Sequence, residues 1–553
     1  MPRRTGNRLS RIAPLVMLVT LAVAPALPAQ VATASVAWRV SAGQSIEWLR
    51  FLPAGLLLVS ADDGLRAFDA ASGERRWARD DLRNVSQVAY EGTQQGGTLT
   101  GAGAAPAGAV IRTMEELPGG TAVALLADSA GGHSWFDVLD VATGATRWSS
   151  RALPIGEAHG FLPFPDSTSL LVYGLLIEPG RSRRLWARVD AATGAVRWVS
   201  DSLLLQIPAQ FDPAALAAST GTINGNQPLL PLADGTVLLA ASGDGLVRFD
   251  AATGRVRWRS AQSRGEASPI GQGYAPMVLS GDTAYLPAGR AVDAVELTTG
   301  RRLWTTPTFS TMPVQLLPTT GGLLVRGVPS LLAGQDPRVA KPFAALVDPA
   351  TGKPRWKAEW SARTGMTPFL LAGDVALLAT DLGILRIHLA AGTADEPPKG
   401  DKLPGRPAAM LEPWDGGLLL SAAQSLTLYA ADGSVRYQQE YPAPSLSLGG
   451  RLLRVALGAA AIAGGGYYSG GYLAGSAFAR YQYSRSSYSP QYAWFVLKDH
   501  EGTGPALGRI DRHDGRLTGV IGLEGDKTPE YVINPELGLV VIKRDDALTA
   551  YRW

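Results

Sequence analysis

A ten-residue pattern that recurs along the chain constrains the fold more than any other feature. VDAATGAVRW occupies residues 189–198, and close copies occupy 249–258 and 68–77. The shared pattern is Asp-x-x-Thr-Gly-x-x-x-Trp, and such recurrence is typical of a chain built from stacked supersecondary units. The six strong copies place their acidic residue, Gly and Trp at Asp69, Gly73 and Trp77; Asp140, Gly144 and Trp148; Asp190, Gly194 and Trp198; Asp250, Gly254 and Trp258; Glu296, Gly300 and Trp304; and Asp348, Gly352 and Trp356.

Weaker copies follow in the C-terminal third of the chain. LYAADGSVRY places Gly433 and Tyr437 in the Gly and Trp positions, and IDRHDGRLTG keeps Asp511 and Gly515. A further worn unit is expected around LGILRIHLAAG, residues 382–392. The markers therefore number between eight and ten.

Each copy indicates a small antiparallel sheet. The run DGTVLLAASGDGLVRFD, residues 234–250, contains two apolar strands separated by Gly-Asp-Gly. The Asp of the pattern can form an Asx-turn and the Gly can adopt a positive φ, so Asp-x-x-Thr-Gly predicts a tight hairpin connection. With the strand that ends on Trp, each unit has about four strands. Because the marker residues return in every unit, we interpret them as structural rather than as a binding surface of tryptophans.

Stacked four-stranded sheets with this repeat length predict a closed ring. A small sheet cannot bury both faces alone, and stacking the units around an axis as a β-propeller buries them. The segment SVAWRV, residues 35–40, resembles the strand after the pattern, and residues 539–553 resemble the strands before it. We therefore predict an all-β, single β-propeller of four-stranded blades, closed by pairing of the N- and C-terminal strands.

The repeated residues resemble the tryptophan-docking repeat of the pyrroloquinoline-quinone (PQQ) type propellers. That superfamily includes quinoprotein alcohol dehydrogenases and the propeller lipoprotein of the outer-membrane β-barrel assembly machine. The resemblance covers most of residues 35–553. It implies eight blades, the usual number in those relatives, and we adopt eight as the expectation.

Enzymatic chemistry has little support in the residues. The quinoprotein relatives have an adjacent-cysteine disulfide beside the cofactor and a calcium held by Glu, Asn and Asp, whereas this chain has no cysteine. No compact Asn/Asp/Glu constellation suited to calcium is found, and the five histidines are dispersed. We therefore assign no catalytic, cofactor-binding or metal-binding residue and lean against an enzyme. PQQ and calcium are expected only if the chain is a quinoprotein oxidoreductase with a divergent site.

The N-terminus has the pattern of an export signal. An uncharged apolar run, residues 12–26, follows a basic segment, and small residues after it allow cleavage after Ala34 or after Ala29. We predict a cleaved signal peptide over residues 1–34 and a periplasmic or extracellular protein. Without a cysteine the chain cannot be a lipoprotein of the usual bacterial kind. The formal charge of +3 includes the arginines of this segment, so the remaining chain is close to neutral; they are Arg3, Arg4, Arg8 and Arg11.

Two segments depart from the repeat pattern. Residues 91–109 read as a loop insertion, and residues 455–490 form an insertion rich in Gly, Ala and Tyr. In the second, closely spaced small residues at 455–479 favour an insertion that contacts a membrane or a docked partner. The alternative is that the segment forms a long rim loop or irregular blade strands.

The combined expectation is an exported, non-catalytic propeller that binds a protein partner through its rim loops. A role in cell-envelope or outer-membrane assembly is what the lipoprotein relative implies. The alternatives are the divergent quinoprotein and a propeller that binds a polysaccharide or other ligand. The sequence has no stripe of basic residues interleaved with aromatics, so nucleic-acid binding has no support. The oligomeric state stays open.

Overall fold

The computed structural model of the chain describes most residues from position 31 onward. Its one short 3-10 helix is Ser150–Ala152, and no helix in the described part is long and apolar enough to cross a membrane. Residues 1–30 of the predicted signal, the insertion 91–109 and residues 455–485 lie outside the described part. The described ranges are 31–43, 45–83, 85–86, 110–129, 133–179, 181–203, 229–241, 245–260, 277–328, 341–360, 367–380, 383–395, 408–422, 424–444, 486–499, 502, 504–527, 529–544 and 546–553.

The described strands form ten sheets, each built on an antiparallel meander, and two of the sheets also contain a short edge strand that pairs in parallel. Two short strands at the N-terminus, β1 (Ala32–Thr33) and β2 (Ser35–Ser41), come first. We number the sheets as blades 1 to 10. The first five are blade 1, β3 (Ile46–Leu52), β4 (Leu56–Ala61), β5 (Gly64–Asp69) and β6 (Arg75–Arg79); blade 2, β7 (Val85–Ser86), β8 (Val110–Glu116), β9 (Ala122–Ser129), β10 (Ser134–Asp140) and β11 (Thr146–Ser149); blade 3, β12 (Glu157–Pro163), β13 (Ser169–Glu178), β14 (Arg181–Asp190) and β15 (Val196–Ser200); blade 4, β16 (Leu230–Pro231), β17 (Thr236–Ala241), β18 (Gly245–Asp250) and β19 (Val256–Ser260); and blade 5, β20 (Val278–Ser280), β21 (Thr283–Ala288), β22 (Ala291–Glu296) and β23 (Arg302–Thr305).

The second half of the chain repeats the same meander. Blades 7 and 8 together account for the long interval between Trp356 and Tyr437. Blades 6 to 10 are blade 6, β24 (Met312–Thr319), β25 (Gly322–Val328), β26 (Phe343–Val347) and β27 (Pro354–Glu359); blade 7, β28 (Leu370–Ala372), β29 (Val375–Thr380), β30 (Gly383–His388) and β31 (Thr393–Asp395); blade 8, β32 (Ala408–Trp414), β33 (Gly417–Ala422), β34 (Ser425–Tyr429) and β35 (Val435–Glu440); blade 9, β36 (Ser486–Tyr488), β37 (Tyr492–Leu497), β38 (Ala506–Asp511) and β39 (Leu517–Gly522); and blade 10, β40 (Glu530–Asn534), β41 (Leu539–Arg544) and β42 (Ala547–Arg552), completed by β2.

The prediction of an all-β single propeller of mostly four-stranded blades is confirmed, but the expected number of eight blades is wrong. The structure has ten. Eight came from the resemblance, whereas the sequence markers gave eight to ten, and two blades lack a clear marker for a physical reason. Blade 7 has lost most of its pattern side chains, and the corner of blade 10 is divided between the two chain ends, so no continuous decamer marks it.

Both chain ends meet in blade 10, as predicted from their sequences. Strand β2 pairs antiparallel with β42, with Ser41 opposite Ala547 and Trp38 opposite Ala550. Strand β1 adds to the outer edge of blade 9 by pairing parallel with β39. The four-stranded blade is therefore completed by residues more than 500 positions apart, and their pairing closes the ring.

The core consists of clusters between blades rather than of one central core. Within a blade the inner strands are buried along their length, as in β4 and β25, because both of their faces are covered. The outer strand alternates, as in β27, where buried and exposed positions follow one another. Ten hydrophobic clusters result, one at each blade boundary. Among the described residues the boundary of blades 7 and 8 has the smallest, in which only Ala379 and Leu420 are buried.

The meander gives the ring two different faces. We call the four strands of a blade A to D in chain order; the A strands of neighbouring blades contact one another and line the axis, as β3 and β40 do. The hairpin face contains the A–B and C–D turns, and the insertion face contains the B–C turns and the connections between blades. Every gap in the described ranges after residue 43 falls at a connection of the insertion face. The hairpin face is thus described without interruption, and its corners can be compared blade by blade.

Candidate functional site

The decamer forms the C–D corner on the hairpin face, and blade 4 shows its geometry. Asp250 accepts hydrogen bonds at one carboxylate oxygen from the backbone N–H of Thr253 (3.0 Å) and from its hydroxyl (2.9 Å). The Gly254 N–H donates to the carbonyl of Asp250 at 2.9 Å, and Gly254 has a φ of +70°. The Asp side chain therefore replaces the partners that the turn backbone lacks, and Gly supplies the left-handed conformation that closes it.

The tryptophan of each corner reaches the corner of the next blade. The Nε1–H of Trp198 in blade 3 donates to the carbonyl of Ala251 in blade 4 at 3.0 Å. A Cβ on Gly254 would come within 2.6 Å of the Trp198 ring, so glycine is needed for the close approach as well as for the turn. The Trp and Gly pairs are Trp38 with Gly73, Trp77 with Gly144, Trp148 with Gly194, Trp198 with Gly254, Trp258 with Gly300, Trp304 with Gly352 and Trp356 with Gly392.

An arginine that the marker pattern omitted completes the corner. It directly precedes Trp, as in VRW, and pairs with the Asp seven residues earlier. In blade 1 the Arg76 guanidinium is 2.7 Å from Asp69, and this hydrogen bond is the main reason that the pKa of Asp69 falls to about 2. The sequence contains a sign of this pairing, because an acidic residue and an arginine recur seven positions apart in these copies. The other pairs are Asp140 with Arg147, Asp190 with Arg197, Asp250 with Arg257 and Asp348 with Arg355, whereas Glu296 pairs with Arg301.

At the boundary of blades 8 and 9 two tyrosines replace the docking tryptophan. The Tyr437 hydroxyl donates to the carbonyl of Arg512 at 2.5 Å, and the Tyr441 hydroxyl donates to the carbonyl of Gly515 at 2.7 Å. Burial raises the pKa of both phenols. Both tyrosines therefore remain protonated donors and do not serve as bases at neutral pH.

A buried cation lies beside these tyrosines. Arg512 is 2% exposed, forms an ion pair with Glu412 and lies 4.3 Å from the Trp414 ring centre. Its Nη1 also donates to the carbonyl of Ser489 at 2.7 Å. With a carboxylate, a carbonyl and an aromatic face around it, this guanidinium joins the two blades and is already occupied by neighbouring groups.

The boundary of blades 7 and 8 lacks an aromatic in the docking position. The guanidinium of Arg386 covers Gly433, and a Cβ there would come within 2.6 Å of its Nη2. At the boundary of blades 9 and 10, Trp553 at the C-terminus covers Gly519.

A surface cleft of about 780 Å³ lies on the hairpin face between blades 6 and 7. Leu346 and Trp356 form its wall in blade 6, and Leu371 and Leu389 contribute apolar surface from blade 7. Asp374 lies at the edge of the cleft in the A–B turn of blade 7 and has no side-chain partner among the described residues. Sequence analysis did not predict this site. Trp356 belongs to the marker pattern, but the other residues that distinguish the cleft do not.

The described residues do not contain a group of three or more His, Asp or Glu side chains that could hold a metal ion. His388 takes the place of the pattern Asp in blade 7 and pairs with Asp395 at 2.8 Å. Together with the lack of cysteine, the donor set in the described part does not fit the calcium and disulfide arrangement that the quinoprotein resemblance implies.

Comparison with known families supports the repeat assignment. Residues 133–317, about a third of the chain, match the family model described as outer membrane protein assembly factor BamB. The matched region begins in strand C of blade 2 and ends in strand A of blade 6, and it contains four of the six strong decamers. Over this third of the chain the repeat is similar to that of the PQQ-like propellers. No curated protein matches the sequence of the chain.

Solved structures similar to this propeller are distant. BamB from Moraxella catarrhalis is 11% identical with a TM-score of 0.32, and the alignment covers 71% of this chain and 94% of that one. Quinohemoprotein alcohol dehydrogenase from Comamonas testosteroni is 16% identical with a TM-score of 0.35, with 71% and 72% of the chains covered. A eukaryotic initiation factor is 9% identical with a TM-score of 0.39, with 88% and 90% covered. At TM-scores below 0.5 these likenesses add nothing to the functional assignment.

Proposed function

We propose that this PQQ-like propeller is an exported, non-catalytic scaffold that binds a protein partner in the cell envelope. The observation that carries the proposal is the match of residues 133–317 to the family of the outer membrane protein assembly factor BamB. The basic and apolar N-terminal segment supports export to that compartment. Function is taken from the family match and from surface chemistry, because a propeller by itself serves many unrelated activities.

The rigidity of the ring supports a scaffold role. Neighbouring blades are joined at seven boundaries by a Trp that docks on Gly, and each boundary has its own apolar cluster. A rigid support leaves variation, and hence recognition, to its surface connections. We expect binding to depend on one face of the ring and to proceed without turnover, PQQ or calcium.

The test places a photo-crosslinking residue on each face in the full-length exported protein. Ile177 lies in the B–C hairpin of blade 3 on the insertion face and is 56% exposed, whereas Leu537 lies in the A–B turn of blade 10 on the hairpin face and is 36% exposed. Under the proposal, one position gives a discrete adduct with an envelope protein, identified by mass spectrometry, and the other gives none.

Two other outcomes would contradict the scaffold. Reduction of a dye with alcohols or sugars after reconstitution with PQQ and calcium would establish the quinoprotein alternative. Saturable binding of a purified polysaccharide, with no protein adduct from either face, would establish the ligand-binding alternative.

A further inference from the structure

At two blade boundaries, an arginine that lies opposite the docking Trp spans from one blade to the next. In blade 4, Arg248 lies directly opposite Trp258 in the pairing of β18 with β19. Its Nη1 donates at 2.5 Å to the carbonyl of Leu297 in blade 5, which also accepts from Trp258 at 2.9 Å. Its Nη2 contacts Asp234 at 2.5 Å, and the side chain is 14% exposed. One corner carbonyl therefore accepts from both the indole and the guanidinium.

The arrangement occurs again one boundary earlier. Arg188 lies opposite Trp198, and its Nη1 donates at 2.7 Å to the carbonyl of Ala251, the acceptor of the Trp198 indole. The guanidinium also pairs with Asp166 at 2.5 Å. An arginine is thus a chemically suitable occupant of the space between a docking Trp and the next corner.

At the boundary of blades 6 and 7 the equivalent place is open. Leu346 lies opposite Trp356, and the carbonyl of Leu389 accepts the Trp356 indole at 2.7 Å. Within the described part of the chain, this carbonyl has no second donor. Leu346, Trp356 and Leu389 all line the 780 Å³ cleft, so the cleft lies at the position where Arg188 and Arg248 are found in the other two blades.

The corner of blade 7 has also lost the hydroxyl that would engage its acidic residue. In blade 5 the Thr298 hydroxyl donates to Asp282 at 2.8 Å. Ala390 and Asp374 occupy the matching positions in blade 7. The match follows from the residue before each: the Leu297 N–H donates to the backbone carbonyl of Asp282, and the Leu389 N–H donates to the backbone carbonyl of Asp374. Asp374 is exposed at the edge of the cleft. An acceptor carbonyl and a carboxylate therefore both line the cleft, and the lining cation Arg355 is already paired with Asp348.

We propose that the cleft between blades 6 and 7 receives an arginine side chain from a protein partner, in the place that Arg188 and Arg248 fill from within the chain. The aliphatic stem packs on Leu346 and Leu371, and the guanidinium donates to the carbonyl of Leu389 and to Asp374. Arg355 does not repel it strongly, because Asp348 neutralises that guanidinium at 3.1 Å.

The charge and shape of the cleft favour arginine over other occupants. The planar guanidinium can donate to two acceptors at once, whereas an ammonium is a compact and strongly hydrated charge. A flanking apolar residue on the partner would cover Leu371, which is 38% exposed. The proposal rests on the proposed function, because it identifies the chemistry of the protein segment that the scaffold binds.

The experiment measures binding of a fluorescein-labelled peptide, GSLRLSG, to the full-length protein by fluorescence anisotropy. The comparison peptides carry citrulline or lysine in place of arginine. Saturable binding of the arginine peptide is expected, with binding of the citrulline peptide weaker by roughly tenfold or more, the usual effect of losing a charged hydrogen bond. Binding should also weaken as salt is raised, because the charge pair is partly exposed.

Three variants locate the site. Leu346→Arg supplies the arginine from within the chain and should abolish peptide binding while it preserves the fold. Leu371→Lys changes an exposed residue and should weaken binding through charge repulsion. Because an exposed change is expected to leave the fold intact, this variant tests the cleft even if Leu346→Arg does not fold. Asp374→Asn should remove most of the preference for arginine over citrulline. Leu303→Lys, at a residue that is 36% exposed on blade 5, is the matched control and should bind as the parent does.

Absence of saturable binding, equal binding of the citrulline peptide, or unchanged binding by Leu371→Lys and Asp374→Asn would overturn the cleft assignment. A protein adduct from the crosslinking experiment together with any of these results would leave the scaffold standing and refute the cleft alone. Binding of a neutral oligosaccharide that is blocked by Leu371→Lys would instead assign the cleft to a carbohydrate.

Discussion

Trp38, near the N-terminus, lies over Gly73 of blade 1, and its indole donates to the carbonyl of Ala70 at 3.0 Å. Trp38 belongs to β2, which pairs with the last strand of the chain. The contact that joins blade 10 to blade 1 is therefore the same Trp and Gly contact that joins blades within the chain, and closure of the ring uses the ordinary joint.

Removal of this closing residue should destabilise the whole ring. Trp38 is 8% exposed, and truncation of a buried aromatic costs about 3–5 kcal/mol. We expect Trp38→Ala to lower the unfolding temperature and to make both termini sensitive to protease. Val36→Ala, on the same strand at a position 59% exposed, should change stability by no more than about 0.5 kcal/mol. Equal effects of the two substitutions would contradict the closing role of Trp38.

The glycine of the corner combines two constraints that substitution can separate. Gly235 and Gly254 both have positive φ, +78° and +70°, but a Cβ on Gly235 meets nothing within 4 Å. Gly235→Ala should cost about 1–2 kcal/mol from backbone strain. Gly254→Ala should cost about 1–3 kcal/mol more, because its Cβ overlaps Trp198. Denaturant unfolding of the two variants measures the difference, and equal costs would show that the indole moves aside freely.

Acid should weaken the corners through their aspartates. The folded pKa of Asp69 is about 2, mainly because of Arg76, and lies below its ordinary value. A lowered folded pKa stabilises the fold above about pH 4 and loses that contribution as pH falls toward about 2. Asp69→Asn should therefore flatten the loss of stability between these pH values. Identical acid profiles of Asp69→Asn and the parent would contradict this.

The edge strand at the N-terminus predicts where an export signal is removed. Ala32 and Thr33 pair with Gly519 and Val520, and the Ala34 N–H donates to Val520 at 3.3 Å. Cleavage after Ala34 would remove this strand, whereas cleavage after Ala29 would keep it. In place of the signal over residues 1–34 that the sequence predicts, we expect mass spectrometry of the exported protein to find an N-terminus at or before Val31. A start at Ser35 would show that blade 9 is stable without its fifth strand.

The boundary of blades 7 and 8 should be the weakest in the ring. In the part of the chain that the structure describes, its cluster buries only Ala379 and Leu420, and Arg386 takes the place of the docking tryptophan. Regions with few buried apolar contacts open at lower free energy than the rest of a fold. Hydrogen exchange should be fastest in β30 and β33 compared with β18 and β21, which lie at a fully docked boundary. Uniform protection would contradict this.

The architecture was predictable because one contact is repeated and its residues are constrained by both turn geometry and packing. Gly254 and Trp198 cannot vary independently, so their spacing survives in the sequence. Blade 7 was expected only as a worn unit, because His388 and Ala391 occupy the pattern positions for Asp and Thr. The number of blades is a property of the closed ring, and no local sequence determines it.

The cleft was less predictable than the fold. It depends on residue differences between equivalent corners, and the equivalence is clear only from the strand pairing. Leu346 and Asp374 are ordinary residues in the sequence. Leu346 is notable because Arg248 occupies the matching position in blade 4, and Asp374 because the matching Asp282 in blade 5 accepts a hydrogen bond from Thr298.

The pairing of β2 with β42 also sets the order of events when the protein is made. The first of these strands leaves the ribosome more than 500 residues before its partner. Until the last strand arrives, blade 10 is incomplete, and the exposed edges of an unfinished sheet are prone to aggregation. The finished ring thus depends on a late, long-range event, and a chaperone that holds the early strand until synthesis ends would increase the yield of closed propellers.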